Sequence, residues 1–242
     1  MRPIVILQHE PDDPPATVAR VLEDLGVAFE VRRLDEGAAL PAYPDETSGL
    51  IVMGGSMHVH QGDAYPFLEA EKVYLRTLLK HSAPIWGICL GAQLLTLAAG
   101  GEVYERRVPE IGWTSIEKTL DDPLLHGIGS PFIAFEWHQY SCKLPPFGQR
   151  VAERADGLQV FRAGRRAWGT QFHPEVDADM IEHWIADEAK DLEHRFPGLA
   201  DAMRNETPSR LAANDAFCRR LTTNFLLTSG LLPADIQAGP GA

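Results

Sequence analysis

Pro84-Ile85-Trp86-Gly87-Ile88-Cys89-Leu90-Gly91-Ala92-Gln93 reads as an apolar strand that stops at a small-nucleophile-small turn and continues as a helix. In such a G-x-C-x-G elbow the two flanking glycines let the backbone turn sharply without a Cβ clash, so the cysteine projects above a sheet at a helix start. The free N–H groups and positive dipole end of that helix favour the thiolate, the nucleophilic form. A buried cysteine acting as a small hydrophobe is the competing reading. The glycine spacing and the strand-to-helix switch argue against it.

Around this elbow, short apolar runs alternate with longer amphipathic ones, the pattern of a doubly wound α/β sheet. The first half predicts strands at 4–7, 29–33, 50–53 and 85–88, with helices near 15–25 and 67–81. The helix after Cys89 stops at Gly100-Gly101. From 102 to 172 the texture changes to short strands at 102–104, 113–117, 132–135, 150–153, 159–162 and 168–172, several expected antiparallel. A helix over 178–193 carries Ile181, Trp184, Ile185 and Leu192 at core spacing. Residues 190–208 read as an insertion broken at Phe196-Pro197-Gly198, and a last helix spans about 209–227. A single domain over 1–230 is expected, because no Ser/Gly-rich or Pro-rich linker divides the middle, and 242 residues suffice for one substantial core. The tail 231–242, rich in Pro, Gly and Ala, is expected to be disordered.

Composition narrows the partners. A formal charge of −12 disfavours nucleic acid and anionic membrane, both of which need clustered Lys and Arg. Cys89, Cys142 and Cys218 are odd in number and far apart, unlike a disulfide framework or a C-x-x-C metal site. The sequence has neither a signal-peptide h-region nor an apolar stretch of about 18 residues, so a reducing, cytoplasmic location is expected.

A nucleophilic thiol needs a base and a group that orients the base. Trp168-Gly169-Thr170-Gln171-Phe172-His173-Pro174-Glu175 supplies both at a strand end. His173 would activate Cys89 and later protonate the leaving group; Glu175 would fix the imidazole tautomer and stabilise its cation. Alone, this is more simply a surface His-Pro-Glu turn, but beside the elbow the triad is favoured. The order Cys, His, Glu also departs from the Ser, Asp, His order of α/β-hydrolases. A tetrahedral intermediate needs backbone N–H groups aimed at one point. Leu90 offers one, and Gly55, in the Met53-Gly54-Gly55-Ser56-Met57 turn, offers the second. A tight turn without a ligand is the alternative for that glycine pair.

Together, the 87–93 motif, the Met53-Gly54-Gly55 turn and Gln171-Phe172-His173-Pro174-Glu175 resemble the class I (triad) glutamine amidotransferase family, above all its stand-alone members related to the amidotransferase domain of GMP synthetase. The likeness runs from about residue 4 to 185 and includes Asp63-Ala64-Tyr65-Pro66, Glu110-Ile111-Gly112-Trp113 and Phe135-Glu136-Trp137-His138. It implies an open, largely parallel α/β sheet of flavodoxin-like winding with an antiparallel edge or flap, and a site beyond the carboxyl ends of the strands. It also implies hydrolysis of the glutamine side-chain amide through a γ-glutamyl thioester, releasing ammonia and glutamate without a cofactor or metal. By motif position, Gln93 is expected to touch the backbone groups of glutamine, and Ile111, Gly112 and Trp113 to offer main-chain contacts to its α-carboxylate and amino group.

Two features depart from the family pattern. Relatives commonly read His-Gly-Asp where this chain has His138-Gln139-Tyr140, which alters the loop near the pocket. The sequence carries no synthetase domain, so an ammonia acceptor would sit on a separate synthetase subunit. Three functions therefore stay open: a glutaminase serving such a partner, a free-standing γ-glutamyl hydrolase or peptidase on glutathione-like metabolites, and a non-catalytic binding or regulatory protein on the same scaffold. His58-Val59-His60 lacks a third ligand of clear spacing and reads as a polar loop at the pocket mouth. His9 reads as the end of the first strand. No phosphate-binding glycine motif supports a nucleotide.

Overall fold

Strand β1 (Ile4–Gln8) is buried along its whole length because its alternate residues serve two different layers. The structure, a computed structural model, describes residues 2–155 and 157–232. Ile4 and Ile6 join Val18 and Leu22 of helix α1 (Ala16–Asp24) and Phe225 of the last helix in one core cluster. Val5 and Leu7 face the opposite side, where Leu75 and Leu78 of α2 (Phe67–Lys80) meet Leu94 and Leu95 of α3 (Leu90–Ala98). β2 (Phe29–Arg33), β3 (Gly49–Val52) and β4 (Ile85–Ile88) complete the first half.

The remaining strands are β5 (Val103–Lys118), β6 (Phe132–Cys142), β7 (Gln149–Arg154), β8 (Gly157–Arg162) and β9 (Ala167–Thr170). One nine-stranded sheet results, ordered β2-β1-β3-β4-β9-β8-β7-β5-β6. The stretch from β2 to β9 is parallel, and β9-β8-β7-β5-β6 is antiparallel. This is the open flavodoxin-like sheet with an antiparallel edge. Its winding reverses between β1 and β3, where folds of this type bind ligands beyond the carboxyl strand ends.

Three expectations change. The strands read at 102–104 and 113–117 are one continuous β5, whose pairing with β6 shifts register between Glu105 and Glu110. A bulge absorbs the charged Arg106-Arg107 and Pro109 that look like a loop in sequence. The helix read over 178–193 is two, α4 (Ala178–Asp187) and α5 (Ala189–Arg195), joined at Glu188. Residues 190–208, read as an insertion, are largely helical and packed on the domain. After the break at Phe196-Pro197-Gly198, helix α6 (Leu199–Thr228) starts ten residues earlier than read and runs through Pro208. Leu192 and Met203 tie this stretch into a third cluster with Phe135, Ile181 and Ile185. Of the expected tail, Leu231 and Leu232 are buried in the first cluster, and residues 233–242 lie outside the described residues. Among the described residues no helix is long and apolar enough to cross a membrane.

Candidate active site

β4 delivers Cys89 at a strained turn, with φ 48° and ψ −104°. A positive φ of this kind costs a residue with a side chain about 1–3 kcal/mol, so the surroundings must enforce it. The Cys89 amide donates to Thr170 O at 2.8 Å, and the Gly91 amide to Met53 O at 3.1 Å. Both flanking glycines are required by contact. A Cβ on Gly87 would lie 2.5 Å from the Gly91 carbonyl carbon, and one on Gly91 would lie 2.2 Å from Val52 O. Helix α3 therefore sits directly on the ends of β3 and β4, with the thiol at its first turn.

His173 follows β9, the immediate neighbour of β4. Its amide donates to Phe135 O at 2.8 Å, and its Nδ1 lies 2.7 Å from Glu175 Oε1. That leaves Nε2 free of Glu175, and His173 and Cys89 line the same cleft. Burial opposes charge on this imidazole, but the charges of Cys89 and Glu175 and hydrogen bonds to both outweigh it, holding its pKa well above the ordinary histidine value. Trp184 meets the ring edge-on at 5.0 Å. Asn214, reaching from α6, donates to both Pro174 O at 3.0 Å and Val176 O at 3.1 Å, bracing the turn between base and carboxylate. Gln171 Nε2 lies 3.8 Å from Cys89 Sγ. All three cysteines are buried, and of the three only Cys89 lines the cleft described below; burial pushes the Cys142 thiol up to about 12 and also raises Cys218.

Cys89 and His173 open onto a cleft of about 390 Å³. Gly55, Gln93 and Ile111 line it, as does His58, whose ring tilts against Tyr140 at 4.3 Å as expected of a polar loop at the mouth. Gln93 donates to Tyr140 O at 3.1 Å. Leu90 is buried rather than lining the cleft, and its Cδ2 lies 3.0 Å from where a Cβ on Gly55 would be, so the two expected N–H donors come from neighbouring turns. Gly112 and Trp113 are not in the cleft wall. β5 advances about 3.4 Å per residue, so two residues carry it past the rim. There Trp113 Nε1 donates to Thr207 Oγ1 at 3.0 Å, and the ring packs on Phe135 at 5.1 Å.

Two groups beside the triad have no role assigned to them from the sequence. Asp13, in the loop after β1, is buried beside the triad: a Cβ on Gly54 would lie 2.3 Å from Asp13 Oδ2 and 2.9 Å from His173 Cε1. Burial pushes the Asp13 carboxyl up to about 7, with Glu175 and Glu10 adding to the rise and His173 opposing it. On the other side, His138 Nε2 lies 2.9 Å from Glu136 and 3.1 Å from Glu110, while Gln159 donates to Glu110 at 3.0 Å. Burial opposes charge on His138, but hydrogen bonds to Glu110 and Glu136 raise its pKa to about 9. The alternation Glu136, His138 on one strand face was a usable signal; the third partner required the β5–β6 register. Asp13, His173 and Glu175, and Glu110, Glu136 and His138, each bring ligand atoms within 4.8 Å of one another.

A strained cysteine elbow, a His-Glu pair on the adjacent strand end and a glycine turn across the cleft are the features a family comparison can decide. Residues 16–191 match the family model described as glutamine amidotransferase class-I. The chain belongs to the class I glutamine amidotransferase family. It is 31% identical over 180 residues to the glutamine-hydrolysing GMP synthase of Aeropyrum pernix, an alignment covering 70% of this chain and 33% of that one. To the glutamine amidotransferase-like protein YfeJ of Salmonella typhimurium it is 29% identical over 202 residues, covering 80% of this chain and 81% of the relative. The chain thus spans about a third of the full-length synthase and most of YfeJ. Among solved structures, a glutamine amidotransferase from Thermotoga maritima superposes with a TM-score of 0.85 at 26% identity, covering 93% of this chain and 98% of its own. One from Methylobacillus flagellatus gives 0.86 at 25%, covering 94% and 95%.

Proposed function

We propose that this amidotransferase hydrolyses γ-glutamyl amides, glutamine first among them, through a thioester on Cys89. The observation that carries the reading is that Cys89 and His173 meet in the cleft at the carboxyl ends of β4 and β9, with Glu175 Oε1 2.7 Å from His173 Nδ1. Cys89 thiolate attacks the γ-carbonyl carbon, and the carbonyl oxygen becomes an oxyanion that accepts hydrogen bonds from the N–H groups of Gly55 and Leu90. His173, held as a cation by Glu175, donates its Nε2 proton to the departing nitrogen as the C–N bond breaks and ammonia leaves. The now neutral imidazole takes a proton from water, whose oxygen attacks the thioester. Glutamate departs and the thiolate–imidazolium pair is restored. Gln93 and Ile111, both in the wall, are the proposed contacts to the amino-acid end of the substrate.

A specific observation favours a second reading, cleavage of a larger γ-glutamyl amide or peptide. Sites of roughly 300–1,000 Å³ take whole drug-sized molecules, and this cleft of about 390 Å³ extends past the triad to Trp137, Trp184, Glu188 and Arg195. The likeness to a Methanocaldococcus jannaschii protein named as one subunit of a glutamine-hydrolysing GMP synthase, 32% identical over 134 residues, supports the first reading with a separate synthetase as ammonia acceptor. One experiment separates them. Purified protein is incubated with glutamine and a panel of γ-glutamyl peptides and amines, and ammonia, glutamate and released amine are followed. Glutamine turnover without peptide cleavage selects the first reading and the converse selects the second. Turnover of neither, with and without a synthetase subunit, refutes both.

A further inference from the structure

The turn that faces Cys89 across the cleft is anchored from behind by a buried pair the proposed mechanism does not use. His9, the first residue after β1, is buried, with Nδ1 2.7 Å from Gly54 O and Nε2 3.0 Å from Glu71 Oε2 on α2. Both side chains are fully buried, and the ring stacks against Phe67 at 6.0 Å. The next residue, Glu10, grips the far end of the same turn: its carboxylate accepts from the Ser56 amide and, at 2.7 Å, from Ser56 Oγ. A carbonyl only accepts, so His9 Nδ1 must carry a proton. Burial opposes charge on His9, but the charge of Glu71 and the hydrogen bond to it outweigh burial and raise the pKa above the ordinary value; Glu71 Oε2 holds the other ring nitrogen.

Gly54 O and Gly55 N–H belong to one planar trans peptide, in which C=O and N–H point in opposite directions. Fixing the oxygen therefore fixes where the N–H aims. We infer that His9, held by Glu71, locks the Gly54–Gly55 peptide with its N–H directed at the oxyanion. His9 is thus a positioning residue acting through Gly55. The glycines explain why such a lock is needed: Asp13 and His173 crowd the Gly54 position, so no side chain there restrains the turn. The inference rests on the thioester reading, in which Gly55 meets an oxyanion.

Two substitutions divide the ring's contacts. His9→Asn keeps a donor at the Nδ1 position, facing Gly54 O; His9→Gln keeps one at the Nε2 position, facing Glu71, and withdraws the other. Loss of a whole oxyanion donor costs about 10²–10³ in kcat, so a mis-aimed one should cost about tenfold to a hundredfold. The expected result is that fall in kcat for His9→Gln, with KM nearly unchanged and substantial recovery in His9→Asn. Alkylation of Cys89 by iodoacetamide, which forms no oxyanion, should keep its wild-type rate in both. Wild-type kcat in His9→Gln, an equal fall in His9→Asn, or alkylation falling in step with kcat overturns the inference. If the wild-type protein turns over no γ-glutamyl compound, the functional reading fails. The Gly55 amide resonance then decides the lock itself: it shifts in His9→Gln and stays near its wild-type position in His9→Asn, or the lock is wrong. Should His9→Gln fail to fold, Glu71→Gln takes its place, and an unmoved Gly55 resonance is the contrary result.

Discussion

Raising the pH from 6.5 to 9 should remove a defined share of the stability, and His138 is the group through which it goes. Its side chain is 2% exposed and sits between Glu136 at 2.9 Å and Glu110 at 3.1 Å. These partners hold its pKa at about 9, against an ordinary histidine value of 6.5. Each pKa unit is worth about 1.4 kcal/mol, so a gap of about 2.5 units amounts to about 3 kcal/mol. The sign follows from linkage: the folded protein holds this proton more tightly than the unfolded chain. The contribution is fully present below pH 6.5 and is lost as pH rises through 9. The assay is guanidinium unfolding of the wild type and of His138→Gln at intervals across that window. Titrations shared by both proteins, His9 and His173 included, cancel in the difference. The stability gap should narrow by about 3 kcal/mol from the acid to the alkaline end. A gap that stays constant across the window would refute the claim that this histidine is a buried cation.

Three further perturbations follow from the geometry. Gly54→Ala puts a Cβ 2.3 Å from Asp13 Oδ2 and 2.9 Å from His173 Cε1, so turnover should fall by at least tenfold even where thermal unfolding shifts little; wild-type turnover would show that the turn yields freely. Glu175→Gln removes the carboxylate 2.7 Å from His173 Nδ1 and should lower kcat by about 10²–10⁴-fold with KM little changed, read in a steady-state ammonia assay. Trp113→Phe removes the bond to Thr207 and should cost about 0.5–1.5 kcal/mol in denaturant unfolding while leaving KM unchanged; a large rise in KM would return Trp113 to the substrate site.

The parallel half of the fold was legible because its strands obey local rules: an apolar run, a turn residue, then a helix, with α1, α2 and α3 starting within one to two residues of their sequence signals. The Cys89 elbow was legible for the same reason, since both glycines are dictated by contacts of their own backbone. What escaped depends on pairing across the chain. Arg106 to Pro109 look like a loop, and only the bulged pairing of β5 with β6 keeps them in a strand. The helix over 199–208 was missed because the residues that hold it, Met203 and the Thr207 acceptor, pack on a cluster built from distant β5 and β6. His9 read as a strand end because its partners, Gly54 and Glu71, lie 45 and 62 residues away.

The central claim is that Cys89 carries the γ-glutamyl group. The most direct measurement is intact-mass and peptide mass spectrometry of the protein treated with an electrophilic γ-glutamyl analogue, followed by acid-quenched incubation with glutamine. The account predicts stoichiometric labelling of Cys89, protection by glutamine, a glutamyl adduct on the same residue in the quenched sample, and no adduct in Cys89→Ala. Cys142 and Cys218, which do not line the cleft, should stay unmodified. Labelling of either in preference to Cys89, or turnover that survives Cys89→Ala, would contradict it.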